Sequence, residues 1–531
     1  MTYLVASISG DSAEQVRERL HCAREMGAEM LEFRLDLMEG VDEEDLCLLH
    51  DEAGCPIILT IRSATEGGGW DQGDDERLSR MIALSPLAAY LDVEWATWQR
   101  SANIRQKINL AVERASEAAA ETTDEAPCRA GRLILSRHDL QGRPPKLLAD
   151  LLAMFSEPAC AVPKFAWRAR TVRDNFEAFE LMRTSPRPVV IICMGEDGLP
   201  SRVLAKKFGA FATFASPAAG TETAPGQLSV GQLRNLYRWD AIDEQTRLYG
   251  VIGNPVRHSL SPAVHNAAFA AAGLNAVYLP LRVDRSYESF KAFMVEVLAR
   301  PWLDFRGFSV TVPHKENAAR FLREAGGRLD DLARRLDAVN TIVISPDGAL
   351  AGYNTDYGAA LETLQRGLPG EQARLAGIRA AVLGAGGVAR AVAAALVEAG
   401  ARVTIFNRTA ARAEALAASC SCEWEPWEER LACRHGLIAN CTSVGMAPDV
   451  ETSPIPAAAL KPGMIVFDSV YAPRRTKLLR DAAACGCTAL DGLTMFAAQA
   501  EAQFRFWTNS DAPPGLYARV VGRAATTGAG L

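Results

Sequence analysis

Residues 30–38 read MLEFRLDLM, and their period of two decides the first half of the fold. Successive strand side chains point to opposite faces, so Glu32, Arg34 and Asp36 share one side and Phe33, Leu35 and Leu37 the other. In a closed barrel the outer face packs on helices, which turns the apolar set outward and the charged set inward. Seven further runs of this kind surround it: YLVASISG (3–10), PIILTIRS (56–63), AAYLDVEW (88–95), RLILSRHD (132–139), ACAVPKFAW (159–167), PVVIICMG (188–195) and FATFAS (211–216). Each is followed by a helical pattern, and eight strand–helix units in about 240 residues fit a (β/α)8 TIM barrel; an open doubly wound sheet is the alternative. The same alternation sends Arg62, Asp92, Glu94, His138 and Lys164 inward.

The chain has 531 residues, more than the roughly 250–300 at which single cores stop growing, so two or more domains are expected. A net charge of −7 suits a globular protein and argues against a nucleic-acid partner. The opening MTYLVASISG has no basic region or cleavage site, and charges interrupt every apolar run short of the roughly 20 residues a membrane span needs. A cytoplasmic protein with no membrane partner is expected. The twelve cysteines are read as reduced thiols. Cys420, Cys422, Cys433 and His435 lack the C-x2-C knuckle of structural zinc sites, so no metal is expected.

The segment QLSVGQLRNLYRW (227–239) places Leu228, Leu233, Leu236 and Tyr237 at helical spacing and reads as the last barrel helix, with a boundary near Asp243. A second α/β series follows: LYGVIGNP (248–255), AVYLPLRV (276–283), GFSVTVP (307–313), then RAAVLGAGGVARAVAAALVEAG (379–400), a strand, glycine turn and helix in succession. The expected domains are a barrel over 1–243, a substrate lobe over 247–358, a Rossmann dinucleotide-binding lobe over 359–490, and over 491–531 a helix returning to the substrate lobe plus a tail, AATTGAGL, of frayed composition.

A lysine inside the apolar strand ACAVPKFAW loses hydration, and nearby arginines are expected to oppose its protonated form; a neutral amine attacks ketones. With His138 ending the preceding strand, Lys164 suggests imine-assisted elimination. EFRLD (32–36), TIRSATEGG (60–68), SRHD (136–139), VPKFA (162–166) and TAPGQ (223–227) together resemble the type I 3-dehydroquinate dehydratases over nearly all of residues 1–240. The resemblance implies that Lys164 forms the Schiff base, His138 moves the proton and Glu66 orients it. It further implies that Glu32, Arg34 and Arg62 hold ring hydroxyls, and that Arg202 and Gln227 grip the carboxylate. Thr223 stands where many members have serine, in a turn suited to a lid.

In the second half, GAGGVA follows a strand and opens a helix, the setting in which glycines let a pyrophosphate approach a helix N-terminus. Gly384, Ala385, Gly386, Gly387 and Ala389 are the residues concerned. The next strand ends in Asn407, Arg408 and Thr409, with Arg412 one turn on; arginine in place of an acid favours NADP(H). Ser259 and Ser261 precede a helix beginning near Pro262, which either could cap. Lys315 opens a helix, where a cation is disfavoured by the macrodipole unless an acid such as Asp356 offsets it.

GNPVRHSLSPAVHN (253–266), GFSVTVPHKE (307–316), DAVNT (337–341), GYNTD (352–356) and GLTMFAAQA (492–500) resemble the shikimate dehydrogenases over essentially all of residues 247–510. This implies a catalytic pair of Lys315 and Asp356, with Ser259, Ser261, Thr311, Asn340, Tyr471 and Gln499 on the substrate. In NCTSVGM (440–446), Asn440, Thr442, Ser443 and Met446 would line the nicotinamide side, with Gly492 nearby. Asp337 and Ala359 stand where glycine is common and are expected to shift the loops carrying Asn340 or Asp356. The two resemblances together imply a bifunctional enzyme that dehydrates 3-dehydroquinate to 3-dehydroshikimate and reduces that product to shikimate with NADPH, as in aromatic amino acid biosynthesis. A ligand-sensing regulatory homologue, or quinate oxidation by the second half, are the alternatives.

Overall fold

Eight strands form the first sheet of the computed structural model, which describes residues 1–121, 132–368, 374–432 and 434–526. They are β1 (Tyr3–Gly10), β2 (Met30–Met38), β3 (Ile57–Thr60), β4 (Tyr90–Glu94), β5 (Arg132–Asp139), β6 (Cys160–Arg168), β7 (Val190–Met194) and β8 (Ala212–Ala215). Their order is β7-β6-β5-β4-β3-β2-β1-β8 and every ladder is parallel. At the seam, the Phe211 N–H donates to the Val189 carbonyl at 2.8 Å, immediately ahead of β8 and β7. The sheet is thus the nearly closed barrel that alternation and strand–helix order lead one to expect.

The barrel interior has two levels. A lower one, with Val5, Met30, Ile58, Tyr90, Ile134 and Val162, is apolar and buried. Two residues further along the same strands stand Ser7, Glu32, Thr60, Asp92, Ser136 and Lys164, also buried. The period of two makes these side chains face the same way as those beneath them.

The expected last barrel helix is corrected. The helical stretch is shorter than its spacing suggests: it runs from Val230 into a wide, π-type turn at Gln232–Leu236, and Leu228 lies ahead of it, outside the helix. The cause is non-local: the Ser216 N–H donates to the Leu228 carbonyl and the Val230 N–H to the Ser216 carbonyl, both at 2.9 Å, which pins this stretch against the end of β8. The chain divides into two compact units, Met1–Thr246 and Arg247–Leu531.

The second unit has two sheets. The first comprises β9 (Arg247–Gly253), β10 (Ala276–Arg282), β11 (Phe305–Val310), β12 (Arg328–Leu329), β13 (Thr341–Ile344) and β14 (Leu350–Tyr353), ordered β10-β9-β11-β13-β14-β12, with β13 antiparallel to both neighbours. The other comprises β15 (Arg379–Leu383), β16 (Arg402–Asn407), β17 (Glu423–Pro426), β18 (Leu437–Asn440), β19 (Ile465–Asp468) and β20 (Thr488–Leu490). Its order, β17-β16-β15-β18-β19-β20, is wholly parallel and of Rossmann type. The helix Gly492–Thr508 returns to the first sheet, burying Leu493, Phe496, Ala500 and Phe504 with Tyr249 and Phe269. Ala524, Ala525 and Thr526 continue the helix Leu516–Thr526 rather than fray, and the rest of the tail lies outside the described residues. Among the described residues, no helix is long and apolar enough to cross a membrane.

Candidate active sites

In the barrel the upper level is a single polar network. Glu32 accepts from Ser7 Oγ at 2.6 Å and from Thr60 Oγ1 at 2.9 Å. Lys164 Nζ donates to Asp92 at 2.8 Å and to Glu32 at 3.4 Å, and stands 3.9 Å from the centre of the Phe214 ring. Arg62 donates to Asp92 at 2.9 Å and to Ser136 Oγ at 2.8 Å. Burial raises the Asp92 carboxyl, but Arg62 and Lys164 overcome this and hold it well below the usual carboxylate range. Glu32 is likewise lowered, by Lys164 and Arg34 against burial.

The carboxylates beside Lys164 were not anticipated: its amine pairs with Glu32 and Asp92, and Arg62 reaches the same Asp92 carboxylate. The reason is register: β2 and β4 bring Glu32 and Asp92 to the lysine's level from across the barrel.

At the mouth, His138 Nδ1 lies 3.0 Å from Glu66 Oε2, which also accepts the His138 backbone N–H at 2.9 Å. Burial, with Arg62 and Lys164, pushes His138 well below its ordinary value, which favours the neutral imidazole. Burial pushes Glu66 up to about 7 against the pull of Arg62, which is 3.7 Å away. Gln227 joins the network through Ser7 at 3.4 Å and accepts from the Thr223 N–H at 2.8 Å. Arg34 is held by Asp36 through two hydrogen bonds of 3.0 and 2.7 Å. Glu94 binds Arg77 and the Ser63 N–H and so supports the Arg62 loop.

Arg202 is buried, yet among the described residues its guanidinium meets only the Phe214 and Pro225 carbonyls, at 3.2 and 3.4 Å. Its Nε has no partner, and burial lowers it to about 10. A buried cation without a carboxylate is a site made for an anion.

In the second unit Lys315 opens the helix Lys315–Glu324, Asp356 opens Asp356–Arg366, and the two form a buried ion pair. Asn340 Nδ2 donates to Thr355 Oγ1 at 2.9 Å and to Gln499 at 3.5 Å, which sets it beside that pair. Ser259 Oγ accepts the Ser261 N–H at 3.2 Å. Ser261 begins the helix Ser261–Ala271, and near it the Tyr278 hydroxyl starts a chain that runs through Ser309 (2.6 Å) and Gln503 (2.7 Å) to the Asn340 carbonyl (3.0 Å). Thr311 follows β11 with its methyl against Gly253.

Asp337 adopts the left-handed conformation at φ 50°, where glycine would be at ease, and its side chain pairs with Arg323. Ala359 packs into the core beneath the Rossmann sheet.

A cavity of about 580 Å³ opens beside the Rossmann strand ends, lined by Gly384, Gly386, Asn407, Arg408, Ser443 and Met446 among others. Gly384 has φ 110°, and a Cβ there would stand 2.9 Å from the Cys441 carbonyl oxygen. A bare helix N-terminus and a guanidinium where an acid would read a ribose hydroxyl fit NADP. Ala385 and Thr442 share the lining, but five expected cofactor residues do not: Gly387 abuts Lys315, Ala389 is buried in its helix, Thr409 is exposed, Arg412 pairs with Glu316 at 3.1 Å, and Gly492 lies against the Ser469 and Asp468 carbonyls. Asn440 is buried beneath the lining, bonded to Asp468 and Thr442. Trp427 and Asp449 line the cavity without having been anticipated. Pairing of Asn407 with Pro426 is what brings Trp427 there.

Cys433 lies outside the described residues, and His435 bonds Thr404 Oγ1 at 3.3 Å. Among the described residues, no group of three or more His, Cys, Asp or Glu is placed to hold a metal.

The type I 3-dehydroquinase family matches residues 4–244. The shikimate dehydrogenase substrate binding domain matches 251–342, shikimate/quinate 5-dehydrogenase 369–433, and the shikimate 5'-dehydrogenase C-terminal domain 492–516. The chloroplastic bifunctional 3-dehydroquinate dehydratase/shikimate dehydrogenase of Arabidopsis thaliana is 34% identical, covering 98% of this chain and 84% of its own length. The chain belongs to this bifunctional family.

The shikimate dehydrogenase (NADP(+)) of Syntrophobacter fumaroxidans is 41% identical over 51% of the chain and 90% of its own. Among solved structures, shikimate 5-dehydrogenase of Thermus thermophilus in complex with NADP(H) and shikimate has 38% identity and a TM-score of 0.46, covering 52% of this chain and 99% of that one. The dehydroquinate dehydratase and shikimate dehydrogenase of S. pombe has 24% identity and a TM-score of 0.40, covering 98% of both. Both units of this chain are α/β, and the Syntrophobacter relative is named as an NADP(+) enzyme.

Proposed function

We propose that residues 1–243 dehydrate 3-dehydroquinate to 3-dehydroshikimate on Lys164, and that residues 247–531 reduce this product to shikimate with NADPH. One observation carries the reading: a buried lysine amine and a Glu66-held histidine share one barrel mouth, in a chain whose other half has its own lysine–aspartate pair beside a nucleotide cleft.

Once its ammonium has released a proton to solvent, Lys164 Nζ attacks the ketone carbon, and the carbonyl oxygen leaves as water with the two remaining amine protons, giving an imine. The imine withdraws electrons from the adjacent C–H bond, whose proton passes to His138; the electron pair becomes the ring double bond. The neighbouring hydroxyl leaves with a proton from His138 as the second water, and hydrolysis of the imine frees Lys164. Glu66 holds Nδ1 and so leaves Nε2 for the substrate. Glu32, Arg34, Arg62 and Thr223 hold the hydroxyls, and Arg202 with Gln227 takes the carboxylate.

NADPH, when bound, supplies the hydride for the second reaction. Lys315, kept in place by Asp356, delivers a proton to the ketone oxygen as charge develops on it. Ser259, Ser261, Thr311, Asn340, Tyr471 and Gln499 hold the substrate's carboxylate and hydroxyls. Arg408 takes the 2'-phosphate at the far end of the cleft. A cytoplasmic setting without nucleic-acid partners belongs to the same proposal; the free thiols of ten described cysteines suit a reducing compartment, and fractionation tests it.

Incubating the purified chain with 3-dehydroquinate and NADPH, and following cofactor oxidation, tests the whole sequence. Turnover of added 3-dehydroshikimate without turnover of 3-dehydroquinate would sink the barrel's assignment; the reverse pattern, with 3-dehydroshikimate accumulating, would sink the dehydrogenase.

A further inference from the structure

The glycine turn ends in two consecutive glycines with different surroundings. A Cβ on Gly386 would meet nothing within 4 Å, as befits a residue on the cavity. A Cβ on Gly387 would stand 2.7 Å from Lys315 Cδ, 3.1 Å from its Cβ and 3.4 Å from its Cγ. Gly387 opens the helix Gly387–Glu398 of the Rossmann lobe, while Lys315 opens a helix of the substrate lobe. The first turn of the catalytic lysine's helix therefore sits directly on the nucleotide lobe.

The lysine stem cannot simply swing aside. Its root is fixed by the helix, where the Lys315 carbonyl accepts the Val339 N–H at 2.9 Å, and its tip is fixed on Asp356. A methyl group on Gly387 must either lift Nζ off Asp356 or part the two helices. The next residue makes the same crossing: Glu316 Oε1 lies 3.1 Å from Arg412 and 3.6 Å from Arg390 on the Rossmann side. Gly387 does not take up the positive φ that demands glycine, so what its position uses is the missing side chain.

We propose that Gly387 is a positioning residue for the reduction. Its bare Cα forms the slot in which the Lys315 stem lies, and thereby aims Nζ at Asp356 and the substrate oxygen. In the usual fingerprint such a glycine serves the pyrophosphate or the packing of helix on strand; here it serves a side chain of the other lobe. The inference rests on Lys315 being the proton donor.

The test uses the full chain with Gly387→Ala, Gly386→Ala, Lys315→Gln, Lys315→Ala and the Gly387→Ala/Lys315→Ala double variant. Readouts are kcat for 3-dehydroshikimate at saturating NADPH, its pH profile, NADPH binding by fluorescence titration without substrate, and Tm. Gly387→Ala is expected to lower kcat by roughly 30-fold or more and displace the pH profile, with the Kd for NADPH changed less than about threefold. Gly386→Ala, on the cavity, is expected to weaken NADPH instead. Most of any Tm lost in Gly387→Ala should return in the Lys315→Ala background, which removes the Cδ and Cγ contacts and leaves only the 3.1 Å contact to Cβ; this keeps the proposal testable if the single variant folds poorly. Retained kcat in Gly387→Ala, or an NADPH affinity lowered about tenfold in either background, would overturn the inference. Retained kcat in Lys315→Gln would instead remove the proton-donor reading beneath it.

Discussion

Glu66 Oε2 holds His138 at two points, its backbone N–H at 2.9 Å and its Nδ1 at 3.0 Å, so one carboxylate oxygen fixes both the strand end and the ring. Burial pushes Glu66 up to about 7 while burial, Arg62 and Lys164 push His138 down. Glu66 accepts from Nδ1–H more strongly as a carboxylate than as the neutral acid, so dehydratase kcat is expected to fall on an acid limb centred near neutrality. Glu66→Gln should flatten that limb and lower kcat roughly 10- to 100-fold. A limb unchanged in the variant would assign the titration elsewhere.

Lys164 is the one amine in the upper level of the barrel that hydrogen-bonds Asp92 and Glu32. Borohydride added with 3-dehydroquinate should trap a covalent adduct on it, read by mass spectrometry of the digested chain. The adduct should vanish in Lys164→Ala; persistence on another residue would refute the imine assignment.

Arg202 is a buried guanidinium with two long carbonyl contacts and an unpartnered Nε. Charge-assisted hydrogen bonds of about 1.5–3 kcal/mol each predict that Arg202→Met raises the KM for 3-dehydroquinate by roughly 10- to 100-fold or more. Because the native state holds this cation without an anion, Tm should stay level or rise. A large drop in Tm with unaltered KM would make Arg202 a structural residue.

Arg408 lines the cavity, whereas Arg412 is engaged by Glu316. Arg408→Ala is expected to weaken NADPH about tenfold more than NADH, and Arg412→Ala much less. Equal effects on both cofactors, measured by titration, would show that Arg408 does not read the 2'-phosphate.

Asp92 bridges Arg62 and Lys164, and its carboxyl is held below the ordinary range although burial works the other way. A depressed folded-state value means a contribution present above the unfolded value and lost as pH falls through about 4 and below. Asp92→Asn should flatten that part of the acid-unfolding curve and cost about 3–5 kcal/mol near neutrality, since two buried cations lose a partner. Urea titrations at several pH values check both.

The barrel strands and their inward charges were legible because period-two alternation and strand–helix order are local signals. What escaped depends on partners far along the chain. The helical spacing of Leu228–Tyr237 yields to the Ser216–Ser229 bridge, which no local pattern announces. The surroundings of Lys164 depend on the registers that level Glu32 and Asp92 with it. Arg412 reads as a phosphate ligand from its place after a strand; its guanidinium reaches the Ala385 carbonyl at the cavity, and Glu316, 96 residues away, shares it, a partner that no local pattern announces. Trp427 enters the cleft through pairing of Pro426 with Asn407. The Lys315–Asp356 pair was foreseeable because the helix dipole disfavours a lone cation at that end.

The two levels inside the barrel divide what natural variation can touch. None of Val5, Met30, Ile58, Tyr90, Ile134 and Val162 carries a group that the dehydration uses, and all are packed among themselves. Drift at that level registers in melting temperature alone, whereas drift one level up registers in rate as well. Libraries confined to the lower level are therefore the place to look for a hardier enzyme whose chemistry is left as it stands.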